Sequence, residues 1–300
     1  MSWRAWATFT ALCVIWGLPY SLIKLALREL SPFVIAWARI ALAAAVLVPI
    51  AWKRGVLRPA FAHMRAVSAF AAAQLMIPFS LIAAGEERIS SSLAGIFVAT
   101  VPLIIVIIAP LFGVTEKLGL RRFGGLMIGF CGVVATLGLD SGNNPTLWSG
   151  VACLFIAVLG YAVGPLVVER FLADVDELGA LAASLVIGTF LLAPFALASA
   201  PAHTPSPNAL ACVLILGVLC TAIGLLLYFW LINEAGAARA SVVAYINPAI
   251  AALLGVFALD ETFGISAALG LAMILLGSWL ATHKTAASTP CPEPAAEECV

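Results

Sequence analysis

The sequence predicts an all-α integral membrane protein of ten transmembrane helices, built as two inverted five-helix repeats. Three observations carry that reading. Ten apolar runs have bilayer-crossing length, an apolar-then-acidic motif recurs at an offset of 145 residues, and Lys and Arg crowd one set of alternate loops.

The 300 residues are 63% hydrophobic and only 10% charged. A water-soluble domain carries about 25% charged residues, so the polar surface it would need is missing. The formal net charge is zero, which argues against nucleic acid or an acidic partner. A helical crossing takes roughly 20 apolar residues. The runs at 5–25, 33–52, 66–84, 92–113, 122–139, 148–168, 178–198, 209–231, 240–259 and 265–282 meet that length. They lack the alternation of outer-membrane strands and so are helices. The first run follows "MSWR". It is too long for a signal-peptide core and no clear small-x-small site follows, so it reads as a retained helix.

Placing both termini in the cytoplasm puts Arg4, Lys53, Arg54, Arg58, Arg65, Lys117, Arg121, Arg122, Arg170, Arg239 and Lys284 inside, against Lys24, Arg28 and Arg88 outside. Cytoplasmic loops collect such charges. The expected setting is therefore a multi-pass protein of the inner (plasma) membrane with both termini cytoplasmic, its partners the lipid bilayer and a small-molecule substrate.

The stretches "VATVPLIIVIIAPLFGVTEKLG" (98–119) and "YINPAIAALLGVFALDETFG" (245–264) share a pattern: proline inside an apolar run, then an acid, then glycine. Pro102 matches Pro248. One gap later, Glu116 matches Glu261, Gly119 matches Gly264, Gly125 matches Gly270, Leu126 matches Leu271 and Gly132 matches Gly277. Residues 1–140 and 147–284 thus form two copies of one unit. Five helices per copy is odd, so copies in series face opposite ways across the membrane. The loop holding Lys117, Arg121 and Arg122 has the uncharged-basic counterpart "DETFGIS", as that inversion requires. Inverted repeats are a construction of secondary transporters, which open a central site alternately to each side.

With "WGLPYSLIK" (16–24), "SPFVIAWAR" (31–39) and the two Pro-then-Glu-x-x-Gly units, the chain resembles the EamA-type members of the drug/metabolite transporter superfamily. The resemblance covers nearly all residues before about 285. It implies ten helices in two inverted copies and export of small metabolites. Amino acids, aromatic ones among them, are the leading substrate expectation. Lipid headgroups, nucleotide sugars and drugs are the alternatives within the fold.

Candidate functional residues follow from what lipid penalises. Pro19, Pro78, Pro102, Pro110, Pro165 and Pro248 each remove a backbone donor and can kink a helix. The symmetric pair Pro102 and Pro248 are the hinge candidates. The amides of Asn247 and Gln74 need partners in a dry setting, either neighbouring helices or solute. Arg39 is the one charge well inside a run. It either pairs with a substrate carboxylate or phosphate or snorkels to water, and the resemblance, which includes an arginine near this place, suits both. Trp16, Tyr20, Tyr161, Tyr228, Trp230 and Tyr245 fall on helices that in this family surround the central cavity; interfacial anchoring is their other reading. Glu116 and Glu261 stand at run ends, where an acid caps the next helix or serves gating or proton coupling. The face "GLMIG" (125–129) with Gly132 signals close helix packing, within the chain or in a homodimer.

No acid lies deep in any of the ten runs, so this reading expects either facilitated diffusion or coupling through an acid at a run's end. An intramembrane enzyme is disfavoured: no GxSxG or HExxH occurs, and His63, His203 and His283 fall in or beside loops. A channel lacks a filter motif or an aligned polar stripe. No cofactor or metal is expected. Cys13, Cys131, Cys153, Cys212 and Cys220 are small packing residues inside runs. Residues 285–300 read as a disordered cytoplasmic tail, in which Cys291 and Cys299 leave a disulfide or metal site as the alternative.

Overall fold

A computed structural model describes residues 2–113, 119–138 and 146–282. Glu116, Lys117 and the tail at 285–300 lie outside the described residues. Among the described residues nine helices are long and apolar enough to cross a membrane, α1 Trp3–Ala26, α2 Pro32–Lys53, α3 Met64–Glu86, α4 Ser91–Phe112, α5 Leu120–Gly138, α6 Leu147–Phe171, α7 Glu177–Ala198, α8 Pro207–Ala235 and α10 Ile265–Thr282, and a shorter apolar helix, α9 Val243–Leu259, completes the ten. Helices satisfy every backbone group internally, which lipid demands. Large apolar side chains such as Phe190, Leu197 and Phe257 stand exposed on the outer surface, where acyl chains replace water.

Helix starts use side-chain caps. Ser31 accepts from the amide of Val34 and Asp176 from that of Gly179. These two residues are 145 apart and cap the equivalent helices α2 and α7. The copies then interlock rather than stand apart. Helix α1 packs on α8 and α9, as its counterpart α6 packs on α3 and α4; α2 lies on α7, α4 on α9, and α5 along α10. The contacts of α1 with α8 and α9 thus mirror those of α6 with α3 and α4, the arrangement an inverted duplication produces.

Helices α5 and α10 meet backbone to backbone. A methyl group added at Gly125 would sit 2.7 Å from the Gly277 carbonyl oxygen, and one at Gly132 would sit 2.7 Å from that of Gly270. The glycine face is therefore used within the chain, each glycine facing the repeat counterpart of the other.

Two elements differ from the apolar runs. Helix α4 is interrupted: Ser91–Val98 is followed by a break at Ala99 and Thr100, and helix resumes as Val101–Ile108 with Pro102 in its first turn. Pro102 has no N–H to return to the Val98 carbonyl, and Thr100 sends its hydroxyl back to the Phe97 carbonyl (2.6 Å). Pro248 instead lies inside the continuous α9, and the corresponding break falls earlier, at Ser241 and Val242 between Ala237–Ala240 and α9. The two prolines are equivalent in sequence but not in backbone role.

Gly132→Ala is expected to destabilise the protein by about 1–3 kcal/mol through overpacking. Gly124→Ala, one helix face away with nothing within 4 Å of the added carbon, is expected to be neutral or stabilising by about 0.5–1 kcal/mol. Thermal unfolding of both variants in detergent checks the contrast.

Candidate functional site

The deepest polar feature is built on Arg39 of α2, 8% exposed. Its guanidinium lies 3.8 Å from the centroid of the Phe79 ring on α3, a cation–π contact that desolvation strengthens. Its Nε donates to Thr221 Oγ1 on α8 (2.8 Å). Among the described residues no carboxylate lies within ion-pair distance of it. The phenols of Tyr20 on α1 and Tyr161 on α6, and the carboxyl of Glu86, lie within its electrostatic reach. Arg39 is thus packed inward between Phe79 and Thr221.

Local backbone makes this possible. Within α3, Ala71–Met76 is π-helical, and within α8 so is Ile215–Ile223. These stretches occupy equivalent places in the two copies. In α3 the cause is Pro78, whose ring and missing N–H disturb the preceding turn. In α8 the Thr221 hydroxyl bonds the Leu216 carbonyl five residues back (2.8 Å), stabilising the wide turn that also presents this hydroxyl to Arg39. The same stretch lets the Cys220 carbonyl accept the Trp16 indole N–H (3.0 Å). Such π segments concentrate at functional sites.

The structure brings some predicted residues together and separates others. Trp16 packs on Tyr228 with ring centroids 5.0 Å apart, next to the Arg39 cluster through Cys220 and Thr221. Tyr161 packs against both large apolar clusters of the interior. Gln74 sits against Gly164, and the amide oxygens of Gln74 and Asn247 are buried without a hydrogen-bond partner. Trp230 faces outward at 39% exposure. The Tyr245 hydroxyl is tied to Thr282 at a helix end (2.9 Å). Neither belongs to the cluster.

Glu261 caps a helix, but not the next one. Its Oε1 accepts from the Ser91 amide (2.7 Å), and its Oε2 from the Ser92 amide (3.0 Å) and hydroxyl (2.7 Å). It therefore holds the first turn of α4, in the other copy, on the same membrane face. Burial raises its pKa, but the hydrogen bonds from Ser92 and Ser91 outweigh this and keep it below the usual carboxylate range. On that face Glu29 likewise accepts from the Ser206 amide (2.6 Å) at the start of α8. Each copy's loop acid thus grips a helix of its partner copy.

Between these caps lies a cavity of about 450 Å³ lined by Lys24, Leu27, Arg28, Glu86, Glu87, Leu259 and Glu261. Glu86 is a buried acid at the last residue of α3, not deep in an apolar run. The apolar run ends at 84, yet α3 continues to Glu86, which is 0% exposed. The Lys24 ammonium donates to the backbone carbonyls of Glu86 and of Ile89 (2.8 Å for the latter) and so ties α1 to the end of α3. The only sequence signal was an acid directly abutting an apolar run.

The sequence matches the EamA-like transporter family twice, over residues 4–138 and 148–282. It is 25% identical over 277 residues to an uncharacterized transporter of Archaeoglobus fulgidus, covering 90% of this chain and 94% of that one. It is 27% identical over 277 residues to the uncharacterized inner membrane transporter YedA of Escherichia coli (91% and 88%). Against protein PagO of Salmonella typhimurium it is 30% identical over 262 residues (82% of each). A solved crystal structure aligns with TM-score 0.64 at 20% identity, over 94% of this chain and 97% of that one, which supports the fold.

Glu261→Ala is expected to cost about 0.5–2 kcal/mol, the range for a lost helix cap. The lowered carboxylate stabilises fully above its ordinary pKa of about 4.3, and that contribution is lost as pH falls through the lower folded value. Glu261→Gln is accordingly expected to flatten the acid limb of a melting-temperature profile in detergent; a profile parallel to wild type would show that the cap carries no weight.

Proposed function

Because the chain belongs to the EamA-like transporter family, we propose that the Arg39 cluster is the solute site of a small-metabolite exporter whose substrates are amino acids, aromatic ones among them. The observation that carries this reading is a buried guanidinium with a ring beneath it, one hydrogen bond to hold it, and no acid of its own among the described residues. A carboxylate supplies the missing charge and can pair with the guanidinium fork bidentately. Tyr20, Tyr161 and the tilted pair Trp16 and Tyr228 supply an amphipathic aromatic wall suited to a side chain.

The charge bias supports both termini lying in the cytoplasm of a plasma or inner membrane, so that the Lys24–Glu261 cavity opens outside. Movement is then an exchange between two packings of the copies. The break at Ala99 and Thr100 before Pro102, and the one at Ser241 and Val242, are the bending points. Glu261 on the first turn of α4 latches the outer ends together.

The test is efflux of labelled phenylalanine or threonine from proteoliposomes. Arg39→Gln is expected to slow efflux by about 10–100-fold, the equivalent of a charged hydrogen bond worth about 1.5–3 kcal/mol. Arg39→Lys keeps charge without the planar fork and is expected to recover only part of the rate, with melting temperatures showing that each variant folds. Efflux of every amino acid at the rate of protein-free liposomes would overturn the substrate assignment and turn the search to sugars, drugs or lipid headgroups.

A further inference from the structure

We propose that Glu86 is the proton-binding group that couples solute export to an inward proton gradient; this rests on the export reading above. Both of its carboxyl oxygens are buried without a hydrogen-bond partner. It lines the outer cavity, yet it lies within electrostatic reach of Arg39 and Tyr20 at the solute site.

The groups that face it are otherwise engaged. From α1, the Lys24 ammonium is held by the carbonyls of Glu86 and Ile89, and the Tyr20 ring packs at Gly95. From α2, Arg39 is fixed on Phe79 and Thr221. From the segment after α9, Glu261 is capped onto α4. Arg28 and Glu87 line the cavity with it. Helix α6 packs Gly150 and Leu154 against Gly85 there and brings no ionisable group. None of these donates to the Glu86 carboxyl. The Lys24 ammonium is the cation beside it, but with no hydrogen bond of its own the buried carboxylate carries a desolvation cost that a bound proton removes.

The proton step balances without any further reactant. A hydronium ion in the cavity gives its proton to a Glu86 carboxylate oxygen, forming an O–H bond and leaving water. After the copies exchange packings, that bond breaks and the proton leaves to water on the other side. The ammonium group of an amino acid neutralises the same carboxylate, so solute and proton exclude one another, which is the condition for antiport.

The experiment compares wild type, Glu86→Gln and Glu87→Gln in proteoliposomes, using phenylalanine as the probe. An imposed proton gradient is expected to drive phenylalanine against its own gradient in wild type and in Glu87→Gln. In Glu86→Gln that uphill movement is expected to be lost, with an unchanged melting temperature showing that the variant folds. Infrared difference spectra between neutral and acid pH supply a readout independent of any solute. A protonated-carboxyl band present in wild type and missing from Glu86→Gln supports the proposal, even if phenylalanine moves in none of the proteins and the substrate assignment alone fails. Gradient-driven movement that survives in Glu86→Gln, or an unchanged infrared band, overturns it.

Discussion

A guanidinium enclosed by a membrane protein constrains whatever is built around it, because neither water nor lipid headgroups reach it. Arg39 is accommodated by three separate devices: the Phe79 ring across α3, the Thr221 hydroxyl across α8, and π-helical turns in both of those helices. The turns matter most. A regular helix would spend its carbonyls on its own amides, whereas the wide turn of α8 frees polar groups toward the interior, where Thr221 and Cys220 meet Arg39 and Trp16. A site of this kind is locally weak in helix stability and rich in unmet hydrogen-bonding capacity, the properties a solute can exploit.

In the transport cycle proposed above, the duplication is what lets one site open to either side. The copies are joined through the α5–α10 glycine seam, through carboxylates that cap helices of the opposite copy, and through apolar clusters to which both contribute. The copies have also diverged where chemistry is concentrated. At the offset of 145, Arg39 faces Ser184 in the second copy, a buried residue whose hydroxyl bonds the Ala180 carbonyl (2.7 Å). Glu86 corresponds to the fully buried Leu231, and Trp16 to Tyr161. One copy thus holds both buried charges, and the other answers with aromatic and apolar surface.

Much of the fold was legible because lipid enforces a simple rule. Run length and continuity placed the ten helices, and the matched glycines exposed the repeat. Arg39 was legible as a lone charge in an apolar run. Other features depend on contacts that no local pattern records. Glu261 looks like a cap for the helix after it, yet its partner lies 170 residues away in the other copy. The π-helical stretch "ILGVLCTAI" reads as ordinary apolar helix. Trp230 and Tyr245 have the right composition for a cavity wall, and only packing shows that they point elsewhere. Glu86 escaped because a hydropathy run stops where polar residues start, although the helix and its burial continue.

The central claim is that Arg39 receives a solute carboxylate, and the most direct measurement is equilibrium binding of phenylalanine and phenylalanine amide to the purified protein. The two ligands share the ring and the ammonium group and differ in the charge that Arg39 is held to read. The account requires phenylalanine to bind wild type and the amide to bind far more weakly, with the difference gone in Arg39→Gln. Equal binding of both ligands to wild type would contradict it.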